Sequence, residues 1–138
     1  MITQEKFEGF KQALIIENEQ KYGAEVRARY GDKVLDEANA KIEGLSKKQY
    51  EESERLRLEF EETLKAALKT GNPAGELAQK ACTLHQQWLS VYYPHYSKEY
   101  HLGLGEMYVA DERFRAYYDK LAPGCTEFLR EAINIYCK

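Results

Sequence analysis

Apolar residues recur at three- and four-residue steps through almost the whole chain, and only three prolines, Pro73, Pro94 and Pro123, interrupt that rhythm. A step of this size keeps one face of an α-helix apolar, whereas a strand needs alternation. The pattern therefore selects an all-α fold. In 138 residues there is room for one core that buries roughly two thirds of the unfolded surface. The expectation is a single domain of about six helices.

Phe7, Phe10 and Leu14 mark a first helix from about Thr3, its N-cap, to Asn18. Tyr22, Val26 and Tyr30 continue at four-residue steps to Gly31, but Gly23 and Gly31 each cost about 1 kcal/mol against alanine inside a helix. With many charges and few aliphatic anchors, the first 31 residues read as marginal alone and mobile until something packs on them. Val34, Leu35, Ala38 and Ile42 form a short stripe that ends at Gly44. Ser46 to Gln49 matches a capping box and announces a long helix with Leu56, Phe60, Leu64, Ala67 and Leu68 inward. Its acids Glu51, Glu52, Glu54, Glu59, Glu61 and Glu62 read as a solvated face.

After the Gly71-Asn72-Pro73 stop, Leu77, Ala81, Leu84, Trp88 and Val91 share a face up to the Pro94 break. Ser97 and Asp111 are N-caps of two short helices, and Pro123-Gly124 opens a last one carrying Phe128, Leu129, Ala132, Ile133 and Tyr136. Gly103 and Gly105 lie inside one of the short helices, so something comes close there: a second helix backbone or a bulky ligand.

Charged residues make up 31% with a net charge of -3, and the bases are dispersed among acids, so phosphate neutralisation by this chain is poor. No DNA binding is expected of it. The longest apolar runs fall far short of the roughly 18 residues a membrane span requires. The start lacks the cationic and apolar blocks of a signal peptide, which makes the cytoplasm the expected location. Cys82, Cys125 and Cys137 fit reduced thiols there.

Metal and catalytic constellations are thin. Cys82 and His85 share a helix face, but two ligands do not close a zinc site. Cys82 reads as a small buried hydrophobe in place of a nucleophile. Gly103-Leu104-Gly105 follows no strand, and Tyr108 stands where a dinucleotide fingerprint needs its third glycine. No enzyme is assembled and no cofactor is expected. One alternative stays open: a globin-sized helical chain in which His85 or His101 ligates haem. A second is a helical protein-interaction module whose tyrosines face a partner.

The unusual feature is aromatic. Seven of eleven tyrosines fall between Tyr92 and Tyr118. Buried hydroxyls need partners, which makes tyrosine a poor choice for a plain core and a good one for gripping an apolar ligand dotted with amides. Trp88, Tyr92, Tyr96, Tyr100, His101, Met107, Tyr108 and Phe114 form the expected ligand cleft, with His101 and the tyrosine hydroxyls giving polar contacts.

His85-Gln86-Gln87-Trp88-Leu89-Ser90, the block from His101 to Phe114, the tail Tyr118 to Gly124 with Phe128 to Ile133, and Tyr22 to Asp32 together resemble the TipAS antibiotic-recognition domain. The likeness covers essentially the whole chain. It implies a globin-like, all-α fold without haem, and a cleft for large apolar macrocycles such as thiopeptide antibiotics. It also implies N-terminal helices that order when ligand arrives. Members usually sit behind the DNA-binding domain of MerR-type activators, so the chain is expected to be the effector half of such a regulator or a free-standing drug sequesterer. Thiopeptide-binding members carry a cysteine in the turn before the His101-type helix. Here Tyr93-Pro94-His95-Tyr96-Ser97 has no thiol and Tyr96 takes its place, which counts against covalent capture.

Overall fold

The computed structural model describes residues 4–18, 20, 24, 28, 31–93 and 95–138. The expected cap at Thr3, the Tyr22, Val26 and Tyr30 stripe, Gly23 and Pro94 lie outside them. Among the described residues there are seven helices, one more than expected, and no strand: α1 (Gln4–Asn18), α2 (Asp32–Glu43), α3 (Lys47–Thr70), α4 (Glu76–Tyr92), α5 (Lys98–Ala110), α6 (Glu112–Leu121) and α7 (Cys125–Tyr136). They fall into two compact units, Met1–Glu52 with Val91–Pro94, and Ser53–Ser90 with His95–Lys138.

In the first unit α1 packs on α2. Phe7 is fully buried and its ring meets Tyr50 at 5.5 Å between centroids. Lys11 is only 3% exposed, and its ammonium donates to the carbonyls of Glu43 at 2.6 Å and Leu45 at 3.1 Å. Glu8 lies 3.2 Å from the same nitrogen. Carbonyls at a helix end have no partners within the helix, and the macrodipole there is negative. Lys11 answers both conditions, so the burial of a lysine is explained by the C-terminus of α2. The Ser46 box forms as its sequence requires: the Gln49 amide donates to Ser46 Oγ at 3.1 Å, and the Ser46 amide donates to Gln49 Oε1 at 2.9 Å.

The second unit builds its core from α3 to α7. Leu56, Phe60, Leu64 and Ala67 of α3 are buried, as are Phe128, Leu129, Ala132 and Ile133 of α7. The acidic face of α3 differs from expectation at one position. Glu61 is 8% exposed, accepts from the Tyr117 hydroxyl at 2.8 Å and pairs with Arg57 at 2.9 Å. A buried carboxylate persists only with such partners. Gly71, with φ 70°, ends α3 in the left-handed conformation that glycine adopts without penalty. Helix α4 begins at Glu76, after an Asx turn in which Asn72 Oδ1 accepts from the Ala74 amide at 3.0 Å.

The buried face of α4 is rotated from the expected one. Ala78, Ala81, Cys82, Leu84, His85 and Leu89 are inside, Leu77 is 40% exposed, and Trp88 and Val91 are half-buried. A histidine replaces tryptophan on the inner face because its nitrogens find partners there.

Ser97 Oγ and Asp111 Oδ1 accept amides of the first turns of α5 and α6, from Tyr100 at 3.0 Å and Arg113 at 2.9 Å. Gly124, at φ 83°, offers α7 no side-chain cap, and Asp119 of α6 replaces it, accepting from the Thr126 amide at 3.1 Å and hydroxyl at 2.8 Å.

Gly105 resolves the choice between a helix neighbour and a ligand. A Cβ there would lie 3.5 Å from Ile133 Cδ1 and 3.6 Å from the Arg130 Cα, so α7 is the close neighbour. Those separations are ordinary contacts. Gly105→Ala is therefore expected to raise stability by up to about 1 kcal/mol through helix propensity, while Gly105→Leu lowers it by about 1–3 kcal/mol through overpacking. Urea melts of both variants check this. Lys11→Met leaves two carbonyls without their donor and is expected to cost about 1–3 kcal/mol in the same assay.

Candidate functional site

The aromatic set converges on two histidines. His85 of α4 and His101 of α5 are both 0% exposed, with His85 Nδ1 and His101 Nε2 2.7 Å apart. The remaining nitrogens are also engaged: His85 Nε2 lies 3.2 Å from the Tyr108 hydroxyl, and His101 Nδ1 lies 2.7 Å from the Tyr96 hydroxyl. The result is one hydrogen-bonded chain, Tyr108–His85–His101–Tyr96. Beyond its Tyr108 end, the ring of Tyr118 packs on that of Tyr108 at 4.9 Å between centroids.

Helix geometry explains the assembly. Cys82, His85 and Leu89 stand three and four residues apart on α4, and His101 and Tyr108 stand seven apart on α5, so each helix presents its members on one face. Rings pack around the pair: Phe60 stacks on His85 at 4.9 Å, Trp88 lies nearly parallel to it at 6.2 Å, and Tyr136 approaches His101 edge-on at 5.8 Å. Tyr108 is sandwiched by Phe114 at 5.2 Å and Tyr118 at 4.9 Å. The Tyr136 hydroxyl donates to Gln86 Oε1, tying α7 to α4.

Of the eight residues expected to line a cleft, His101 and Tyr108 are buried, with their polar atoms committed to neighbours within the protein. Trp88, Tyr96, Tyr100, Met107 and Phe114 are half-buried. Tyr92, the last residue of α4, is also half-buried and belongs to the first unit. The structure thus brings Trp88, Tyr96, His101, Tyr108 and Phe114 into one ring system through His85. Sequence reasoning had treated His85 as a haem or packing candidate; its three-residue offset from Cys82 was the available signal. Tyr136 enters the sequence reading only as a stripe residue, and Tyr118 as one of the clustered tyrosines.

Electrostatically the site is silent at neutral pH. Burial lowers His101 to about 4, and burial followed by the neighbouring His101 lowers His85 well below its usual value. Burial raises Tyr108 to about 12 and Cys82 to about 12, so neither phenolate nor thiolate forms. Such groups donate and accept hydrogen bonds but do not supply a nucleophile. Ligation of haem by either histidine requires breaking one of the hydrogen bonds in the chain. Among the described residues no three His, Cys, Asp or Glu side chains are grouped for a metal ion, and no helix is long and apolar enough to cross a membrane.

The lowered histidines make stability depend on pH in a defined direction. The unfolded chain takes up protons near pH 6.5 that the folded pair refuses, so stability falls as pH drops through that value toward about 4. The shift of His101 alone corresponds to about 3 kcal/mol lost across that window. Urea unfolding midpoints measured from about pH 7 to about pH 4.5 are expected to fall steadily, and a flat profile contradicts the buried neutral pair.

Comparison with known proteins gives the arrangement its context. Residues 22–136 match the model of the TipAS antibiotic-recognition domain. The chain is similar to the HTH-type transcriptional activator mta of Bacillus subtilis, 30% identical over 99% of this chain and 53% of that protein. It is also similar to the HTH-type transcriptional activator TipA of Streptomyces coelicolor, 32% identical over 96% of this chain and 52% of that protein. The HTH-type transcriptional regulator SkgA of Caulobacter vibrioides is 27% identical over 96% of this chain and 52% of that protein. The chain spans about half the length of these curated relatives, and no solved structure matches it. With a match that begins before α2 and runs through α7, the chain belongs to the TipAS antibiotic-recognition domain family.

Proposed function

We propose that residues 1–138 form an effector-binding domain that captures a bulky, largely apolar antibiotic, of the thiopeptide-like macrocycle class, without a covalent bond. The observation that carries this reading is the match to an antibiotic-recognition domain over residues 22–136. The half-buried rings supply its physical basis. Trp88, Tyr96, Tyr100, Met107 and Phe114 keep part of their surface open, and covering three such rings offers several kcal/mol of gross stabilisation at about 25 cal/mol per Å². His101 and Tyr108 belong to the proposed set as the layer behind those rings, and Tyr92 as a contact at the end of α4.

The similarity to HTH-type regulators, each about twice as long, favours the effector-sensing half of a MerR-type regulator over a free drug sequesterer. In this reading the domain is not an enzyme, uses no cofactor, works in the cytoplasm and leaves DNA contacts to another domain.

Trp88 is the only tryptophan, which makes its emission a direct probe. Titration with a panel of thiopeptide antibiotics is expected to shift Trp88 fluorescence saturably and to slow amide exchange across residues 4–18. Tyr100→Ala is expected to weaken binding about 5- to 30-fold, matching the roughly 1–2 kcal/mol of one lost aromatic contact. A panel that changes neither signal refutes the proposal.

A further inference from the structure

The buried chain Tyr108–His85–His101–Tyr96 constrains its own protons. His85 and His101 are neutral at pH 7, so each imidazole carries one N–H and one lone pair. Their shared contact, His85 Nδ1 to His101 Nε2 at 2.7 Å, needs one of each. If His85 Nδ1 carries the hydrogen, His101 Nε2 must be bare and His101 Nδ1 must carry its own. If His101 Nε2 carries it, His85 Nδ1 must be bare and His85 Nε2 carries the hydrogen. Mixed arrangements place two donors or two lone pairs face to face in a site without exposure, which costs the desolvation of both groups.

We infer that His85 and His101 always share one tautomer, and that the hydroxyl of Tyr96 at one end and of Tyr108 at the other jointly set which. In the first state both carry hydrogen on Nδ1: Tyr108 donates to His85, His101 donates to Tyr96, and the Tyr96 hydrogen turns away from His101 as a donor. In the second both carry it on Nε2: Tyr96 donates to His101, His85 donates to Tyr108, and the Tyr96 oxygen is left to accept. The two states hold the same protons, one on each imidazole and one on each hydroxyl, and differ only in their placement. Nothing is oxidised or transferred to solvent.

The chain is thereby a two-state element linking a half-buried tyrosine to the buried Tyr108 on α5. Tyr96 is the member through which a ligand reaches it, a clause that rests on the proposed binding function. An amide carbonyl against Tyr96 holds the first state, and an amide N–H holds the second.

The test uses nitrogen-15 resonances of the imidazoles, which distinguish N–H from bare nitrogen, in the full chain at pH 7. Wild type is expected to show one tautomer, or one identical mixture, on both histidines. An orphaned N–H is costlier than an orphaned lone pair, so the two conservative variants push in opposite directions. Tyr96→Phe moves both histidines toward Nε2–H, and Tyr108→Phe moves both toward Nδ1–H. The informative signal is His85 in Tyr96→Phe, because His85 does not touch Tyr96 through any hydrogen bond of its own. Unlike tautomers on the wild-type pair, or the same His85 tautomer in both variants, overturns the inference. The measurement needs no antibiotic, so its failure is separate from a failed fluorescence titration, and the wild-type result stands even if a variant does not fold.

Discussion

The second unit depends on a hydrogen bond between two buried, uncharged imidazoles. At 2.7 Å between His85 Nδ1 and His101 Nε2, the contact fixes the register of α4 against α5, because a slide of one residue along either helix removes a nitrogen from its partner. A leucine pair gives comparable packing without that restriction. Buried polar networks that are fully satisfied specify one arrangement, and partly satisfied ones are penalised heavily. Here both nitrogens of both rings are satisfied. The aromatic shell of Phe60, Trp88, Tyr108 and Tyr136 then closes around the pair at 4.9–6.2 Å, excluding the water that would otherwise compete for the same nitrogens.

That pair also shows what a sequence does and does not reveal. Helix boundaries were legible because their signals are local. The Ser46 box, the Ser97 and Asp111 caps and the Gly71 stop all occur where the residue chemistry requires. The stripes of α3 and α7 were legible for the same reason, being purely apolar. The inner face of α4 was legible only in part, since hydropathy places Trp88 inward, whereas the structure leaves it half-buried and encloses His85. What holds His85 inside is a pair of partners on α5, His101 and Tyr108, 16 and 23 positions further along the chain, and no periodicity within α4 reports them. Lys11 and Glu61 were missed in the same way: each is charged, each reads as solvated, and each is buried only because a distant group meets it, the carbonyls of Glu43 and Leu45 in one case and Arg57 with Tyr117 in the other. Of the site, the membership of Trp88, Tyr96, His101, Tyr108 and Phe114 in one cluster was legible from composition, but the division between half-buried rings and a hidden polar layer was not.

Gly105 adds a second constraint on the same face of α5, one turn after His101. Its missing side chain lets the backbone of α7 at Arg130 approach to within contact distance of a virtual Cβ. Helix α5 is therefore held along one face, by the close approach of α7 at Gly105 and by the imidazole contact with α4 at His101. The tyrosine-rich segment is consequently a rigid platform built from short helices. Rigid aromatic rings lose little conformational entropy when covered, so a platform of this type suits recognition of a large ligand better than a mobile loop carrying the same residues.

The chemistry available at that platform favours hydrogen bonding over bond formation. All three thiols, Cys82, Cys125 and Cys137, are buried, and burial raises each above its ordinary value. A protonated, enclosed thiol is a weak nucleophile. At the half-buried position between α4 and α5 the chain carries Tyr96, whose hydroxyl is tied to His101 and whose pKa burial raises. A neutral phenol anchored in this manner presents either a donor or an acceptor, in a fixed direction, against an apolar surround. Selectivity among macrocycles then arises from where their backbone amides fall along the aromatic wall, since an unmatched amide buried there costs about 1–3 kcal/mol and a matched one is held without any covalent step.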